Sequence, residues 1–139
     1  MVLVIQSVKP EIEIALFNSE LNLIMKKSWL AEKNEVSKIL PELENLLKEA
    51  HSEWKQVKSI LVSNGIGGFS ATRIGVTIAN TLAFVLPAQL YELTWPEKAD
   101  NLEKIIKTFF LKSPQAVKIA VPKYQSEAMI SAFKKKKFN

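Results

Sequence analysis

The stretch from Ser59 to Gly75, SILVSNGIGGFSATRIG, constrains the chain more than any other part of it. Ile60, Leu61 and Val62 form an unbroken apolar run of the kind found in a strand buried on both faces. Glycines at 65, 67 and 68 follow, and from Ser70 to Val85 the pattern becomes helical, with Ser70 placed to cap the first turn and Pro87 to stop the last. A strand, a glycine loop and a helix make an α/β unit, because the glycines admit positive backbone angles and close approach of main chain. Along the helix Ala71, Gly75, Ala79 and Ala83 recur every four residues, a stripe of small side chains that lets a sheet or another helix come close.

The rest of the chain fits around this unit. Val2 to Ser7 is nearly all apolar, and Ile12, Ile14 and Leu16 alternate with Glu11, Glu13 and Ala15 at a period of two, which predicts two strands turned at Lys9 and Pro10. Leu21 to Trp29 is expected to complete an antiparallel meander. From Asn34 to Ala50 apolar residues at spacings of three and four predict a helix capped by Asn34 and bent at Pro41. Further strands are expected at Ala88 to Leu93 and Val117 to Val121, and further helices at Ala99 to Phe110 and Gln125 to Phe133.

Composition excludes several chemistries. There is no cysteine and a single histidine, His51, so neither a thiolate site nor a histidine-rich metal site can be assembled, and no metal or cofactor is expected. His51 follows the first helix directly, where an imidazole suits the C-terminal dipole. The net charge of +5 is unevenly placed: residues 1–112 hold 13 basic and 13 acidic residues, whereas residues 113–139 hold six lysines and Glu127. This confines any nucleic-acid contact to the tail, Lys134 to Lys137, which also reads as an ordinary solvated end. No run approaches the roughly 18 apolar residues of a membrane span, and the N-terminus lacks a basic leader, so a cytoplasmic location is expected. Trp29, Trp54 and Trp95 share no spacing and read as core and rim residues rather than a stacking platform.

The segment Gly65 to Gly75 resembles the motif of the TsaB (YeaZ) family, whose members typically carry a sequence close to GPGSFTGLRIG at this juncture. Gly65, Gly67, Phe69, Arg73, Ile74 and Gly75 are shared, Ser70 stands where threonine is usual, and Ile66, Gly68, Ala71 and Thr72 depart from the pattern. ILPELENLLKEA, from Ile39 to Ala50, is similar to the LLP-I--LL segment of the family's first helix, and VPKYQSEA, from Val121 to Ala128, is faintly similar to its P-Y---A element. The resemblance implies an α/β fold, a single ribonuclease-H-like lobe of an actin-like ATPase with a mixed sheet. It implies one domain over residues 1–133, with a reduced second lobe from about residue 94, and a basic tail over 134–139.

The resemblance also implies a role: a non-catalytic subunit that binds a TsaD-like catalytic protein, with a TsaE-like ATPase in the larger complex, and supports threonylcarbamoyladenosine modification of tRNA. No enzyme activity is expected, because Gln6, Ser7, Val8 and Lys9 stand where active relatives place an acidic residue at the end of the first strand and where the family usually has Asp-Thr-Ser. The motif loop comprises Gly65, Gly67, Gly68, Phe69, Ser70, Arg73 and Gly75, with Arg73 either meeting an anion or partner carboxylate or tying the loop to the fold. Candidate partner-interface residues are Ala71, Gly75, Ile78, Ala79, Leu82 and Ala83 on the second helix, and Leu40, Leu43 and Leu47 on the first. For the small-residue stripe, packing on the chain's own sheet stands as an equal reading. Two other functions remain open: a small nucleotide-binding protein using the Gly65–Gly68 loop, although no Walker or dinucleotide fingerprint is present, and a homodimeric scaffold.

Overall fold

The structure, a computed structural model, describes residues 1–31, 35–64, 70–96 and 101–121. Three strands open it: β1 (Val2–Gln6), β2 (Glu11–Phe17) and β3 (Leu23–Leu30). A 3-10 turn at Glu35–Lys38 leads into α1 (Ile39–Glu49), followed by β4 (Ser59–Ser63), α2 (Ser70–Val85), β5 (Gln89–Leu93) and α3 (Leu102–Leu111). The five strands form one sheet in the order β3-β2-β1-β4-β5. The meander half is antiparallel, whereas β4 lies parallel to both β1 and β5, with Val2 beside Ser59 and Ser59 beside Gln89. This is the α/β mixed sheet expected from the sequence.

Period-two alternation divides the strands between two apolar layers. Leu3, Ile5, Ile12, Ile14, Ile60 and Val62 pack with Leu43, Leu46, Val76 and Ala79 on the face covered by α1 and α2. Val2, Val4, Ala15, Phe17 and Leu61 point the other way and pack with Trp95, Leu102 and Ile106 under α3. Because helices cover both faces, the central strands carry apolar residues at successive positions, and all of β1 is buried. Edge-to-face contacts among Tyr91, Phe109 and Phe110, with centroids 5.1 to 6.2 Å apart, fasten α3 to β5.

Several boundaries differ from expectation for local reasons. Pro41 is the third residue of α1, where its missing N–H would have had no partner inside the helix, so it opens the helix rather than bending its middle. The turn before it is 3-10, and the proposed cap Asn34 lies outside the described residues. α3 begins at Leu102, because the Asn101 side chain accepts hydrogen bonds from the Glu103 and Lys104 amides. Residues 117–121 do not form the expected strand: one bridge joins Val117 to Leu90, and side chains take up the backbone groups of Ala120 and Val121. Gln125 to Phe133 and the tail at 134–139 lie outside the described residues.

The α1 C-terminus closes in a Schellman arrangement. His51 N–H donates to the Lys48 carbonyl and Ser52 N–H to the Leu47 carbonyl, with His51 at φ 52° in the position usually given to glycine. A second link, without a sequence signature, runs from β3 to α1: Lys27 Nζ lies 2.7 Å from Glu49 and 3.3 Å from Glu42. The hydrogen bond that Lys27 donates to Glu49 is the main reason that the lysine's pKa is raised above its ordinary value, with an opposing contribution from burial and a further raising one from Glu42.

Candidate functional site

Ligands of open α/β sheets gather at the carboxyl ends of parallel strands, near the point where strand order reverses. Here that place is the end of β1 and β4, and the residues there are turned on one another. Gln6 is fully buried: Nε2 donates to the Glu11 carbonyl, while Oε1 accepts from the Val8 and Lys9 amides at 2.7 and 3.0 Å. A side chain standing where an acidic group would manage a metal-bound nucleotide instead closes the β1–β2 turn.

Ser7 is equally buried. Its N–H donates to Ser63 Oγ at 3.1 Å, extending the β1–β4 ladder through a side chain, and its carbonyl accepts from Thr72 Oγ1 at 3.2 Å. The Ser7 hydroxyl points at Gly75, where a methyl group would overlap Oγ and stand 3.3 Å from the Ser7 Cβ. Among the described residues that hydroxyl has no hydrogen-bond partner. Thr72, one of the departures from the family motif, is therefore a fastener between α2 and the end of β1.

The motif residues separate into two groups. Gly65, Gly67, Gly68 and Phe69 lie outside the described residues; Ser70 opens α2 and Ala71 follows within it. Arg73 is exposed in the first turn of α2 and engaged in an interaction. Gly75 and Ala79 are buried against the sheet, where a close approach of α2 to β1 uses them, as in the own-sheet reading of the small-residue stripe. Leu43 and Leu47, at 0% and 2% exposure, lie on the apolar side of α1 that faces the sheet. Ile78, Leu82 and Ala83 are half-buried against the core, and Leu40 is exposed.

The outward face of α2 has a different character. Ile74, Thr77, Thr81, Phe84 and Val85 share it at helical spacing with Ile78 at its margin, and past the charged Arg73 in the first turn none is charged. Phe84 is 92% exposed and Val85 70%. Solvent-facing helix surfaces normally carry charged side chains. An open groove of about 660 Å³ lies beside the end of this face, lined by Asn80, Phe84, Leu90, Val117 and Ile119 among others. On the opposite side of the sheet a smaller hollow of about 230 Å³ holds Lys9 with its Nζ 5.5 Å from the Trp95 ring, beside Glu13, Lys26 and Glu103. Among the described residues no group of three or more His, Cys, Asp or Glu side chains stands ready for a metal ion, and no helix is long and apolar enough to cross a membrane.

A β-meander followed by two parallel strands, with helices on both faces, is the single-lobe arrangement of the actin-like ATPase class. Within that class the chain is YeaZ-like in fold. YeaZ from Pseudomonas aeruginosa matches with a TM-score of 0.61 at 22% identity, over 67% of this chain and 43% of that one. A second structure, described as an uncharacterized protein with similarity to peptidase YEAZ from Pseudomonas aeruginosa, matches with the same TM-score and identity over 67% of this chain and 42% of its own. The chain thus spans less than half the length of either protein. The family model described as TsaD, tRNA N6-adenosine threonylcarbamoyltransferase, matches residues 29–95, from the end of β3 to just past β5. No curated protein matches the chain.

Proposed function

We propose that the chain is a non-catalytic interaction subunit that binds a TsaD-like catalytic protein and supports threonylcarbamoyladenosine modification of tRNA. The observation that carries this reading is the uncharged outward face of α2 from Ile74 to Val85, a solvent-facing surface suited to helix-to-helix contact. The YeaZ-like fold and the TsaD family match supply the chemical setting. The closed end of β1, with Gln6 and Ser7 committed to internal contacts, supports a role without catalysis by this chain.

Co-elution tests the proposal. Purified chain and the TsaD-like protein from the same source are expected to migrate together at about 10 μM each. Phe84→Asp should remove the complex while leaving the melting temperature unchanged, because Phe84 is almost wholly exposed. Failure of the native proteins to co-elute would sink the reading, and an unaltered complex with Phe84→Asp would move the contact to another surface.

A further inference from the structure

Residues 117–121 lie along the outer edge of β5, yet among the described residues a single main-chain hydrogen bond, from Val117 N–H to the Leu90 carbonyl at 2.8 Å, joins them to the sheet. Three side chains from three different places hold the rest. Asn80 of α2 donates from Nδ2 to the Ala120 carbonyl at 2.9 Å and accepts at Oδ1 from the Ala120 N–H at 2.7 Å. Glu92 of β5 accepts from the Val121 N–H at 3.2 Å, and Asn64, just past β4, donates to the Val121 carbonyl. Asn64 also donates to Glu92 at 3.3 Å, which orients the pair.

Every polar group that holds Ala120 and Val121 here touches main chain, so the contacts read an extended backbone rather than a sequence. Shape adds one requirement. Ala120 is 2% exposed, whereas Ile119 and Val121 on either side are 67% and 62% exposed, so a small residue is needed at one position and its neighbours face water. Beneath the segment β5 is an edge strand, whose outer groups are open to pairing wherever the segment is absent. Few buried apolar contacts and backbone bonds made mostly to side chains are the marks of a unit that opens locally. Four residues before it, just past the Lys112 cap of α3, Ser113 holds a positive φ of 48°.

We propose that Asn80, Asn64 and Glu92 form a recognition site for extended peptide main chain beside β5, and that residues 117–121 are a releasable strap filling it. A partner's extended segment with a small residue at the position of Ala120 takes the strap's place by strand addition at the β5 edge. The site adjoins the Phe84 end of the exposed α2 face across the open groove, but its contacts to main chain are made by Asn80, Asn64 and Glu92, so it stands whether or not that face docks a TsaD-like protein.

Hydrogen exchange on the full chain tests the release. Amides of Val117, Ala120 and Val121 should exchange about 100-fold faster than those of Leu61 and Val62. Asn80→Ala should speed the strap amides by about a further tenfold and leave β4 unchanged. Binding is tested with a peptide of the sequence of residues 114–121, PQAVKIAV, added at about 1 mM. In Ala120→Asp, or in the uncharged Ala120→Leu, the peptide should shift the side-chain amide signals of Asn64 and Asn80 in nuclear magnetic resonance. The same peptide with Asp at the alanine before its final valine should not. Exchange of the strap together with β4, absence of any peptide shift in a folded variant, or unfolding of both variants would overturn the proposal.

Discussion

The Ser7 hydroxyl fills the space that a side chain at Gly75 would need, so α2 can lie at its observed distance from β1 only because residue 75 has no Cβ. Glycine within a helix is unfavourable relative to alanine by roughly 1 kcal/mol, which makes Gly75→Ala a sharp test. Propensity alone predicts stabilisation, whereas crowding against Ser7 predicts a loss of about 1–3 kcal/mol. Crowding is expected to win, because Ser7 is fully buried and its Cβ, 3.3 Å from the added methyl, cannot turn aside as its hydroxyl could. Ser7→Gly should restore much of that loss in the double variant. Urea unfolding of the four proteins measures the coupling, and additive effects would exclude the contact as the cause.

Lys27 makes the stability of the β3–α1 link dependent on pH in a known direction. Its folded pKa lies above 10.5, chiefly through Glu49, so the stabilisation is fully present below 10.5 and is lost as pH rises through the folded value. Lys27→Met is expected to lower stability at neutral pH by about 0.5–1 kcal/mol, the ordinary worth of a partly exposed ion pair. The gap between native and variant chains should narrow above about pH 10.5. A gap that widened with alkaline pH would contradict the assignment.

His51 occupies a left-handed backbone position at the end of α1 with its side chain exposed. His51→Gly removes the clash between Cβ and carbonyl that this conformation entails, against a gain in unfolded-chain freedom. A net stabilisation of about 0.5–1 kcal/mol is expected, read as a higher urea midpoint at unchanged slope.

The closed carboxyl end of β1 bears on nucleotides. Gln6 and Ser7 are buried and committed to main-chain contacts, with the Ser7 hydroxyl turned to Gly75. ATP or ADP at millimolar concentration, with or without magnesium, is therefore expected to leave the melting temperature unchanged. Saturation at 100 times a dissociation constant would stabilise by about 2.7 kcal/mol, so a clear upward shift would restore the nucleotide-binding reading of the glycine loop.

The parts of the fold written in local pattern were legible from the residues. β4 and α2 run over the expected residues, because an apolar run and a Ser-to-Pro frame mark their limits. The meander was legible from Ile12, Ile14 and Leu16. Contacts that join distant segments were not. Nothing local in Asn80 announces that it will hold Ala120, forty residues later, or turn the expected last strand into a strap. The four-residue repeat of small side chains states that something comes close to α2 without saying what, and for Gly75 and Ala79 the answer is the chain's own sheet. Thr72 and Gln6 looked like departures from a family pattern, and their purpose emerged only when their hydrogen-bond partners were known.

The order β3-β2-β1-β4-β5 sets an order of events in time. The antiparallel meander joins segments close in sequence, whereas pairing Val2 with Ser59 closes a far longer loop, and such pairings are slow to form. During synthesis β1 therefore waits beside β2 with its other edge unoccupied until β4 leaves the ribosome. That waiting edge is VLVIQ, the most apolar strand of the sheet. A chain interrupted before Ser59 would carry it open into solution, with self-association as the expected outcome in a sedimentation assay.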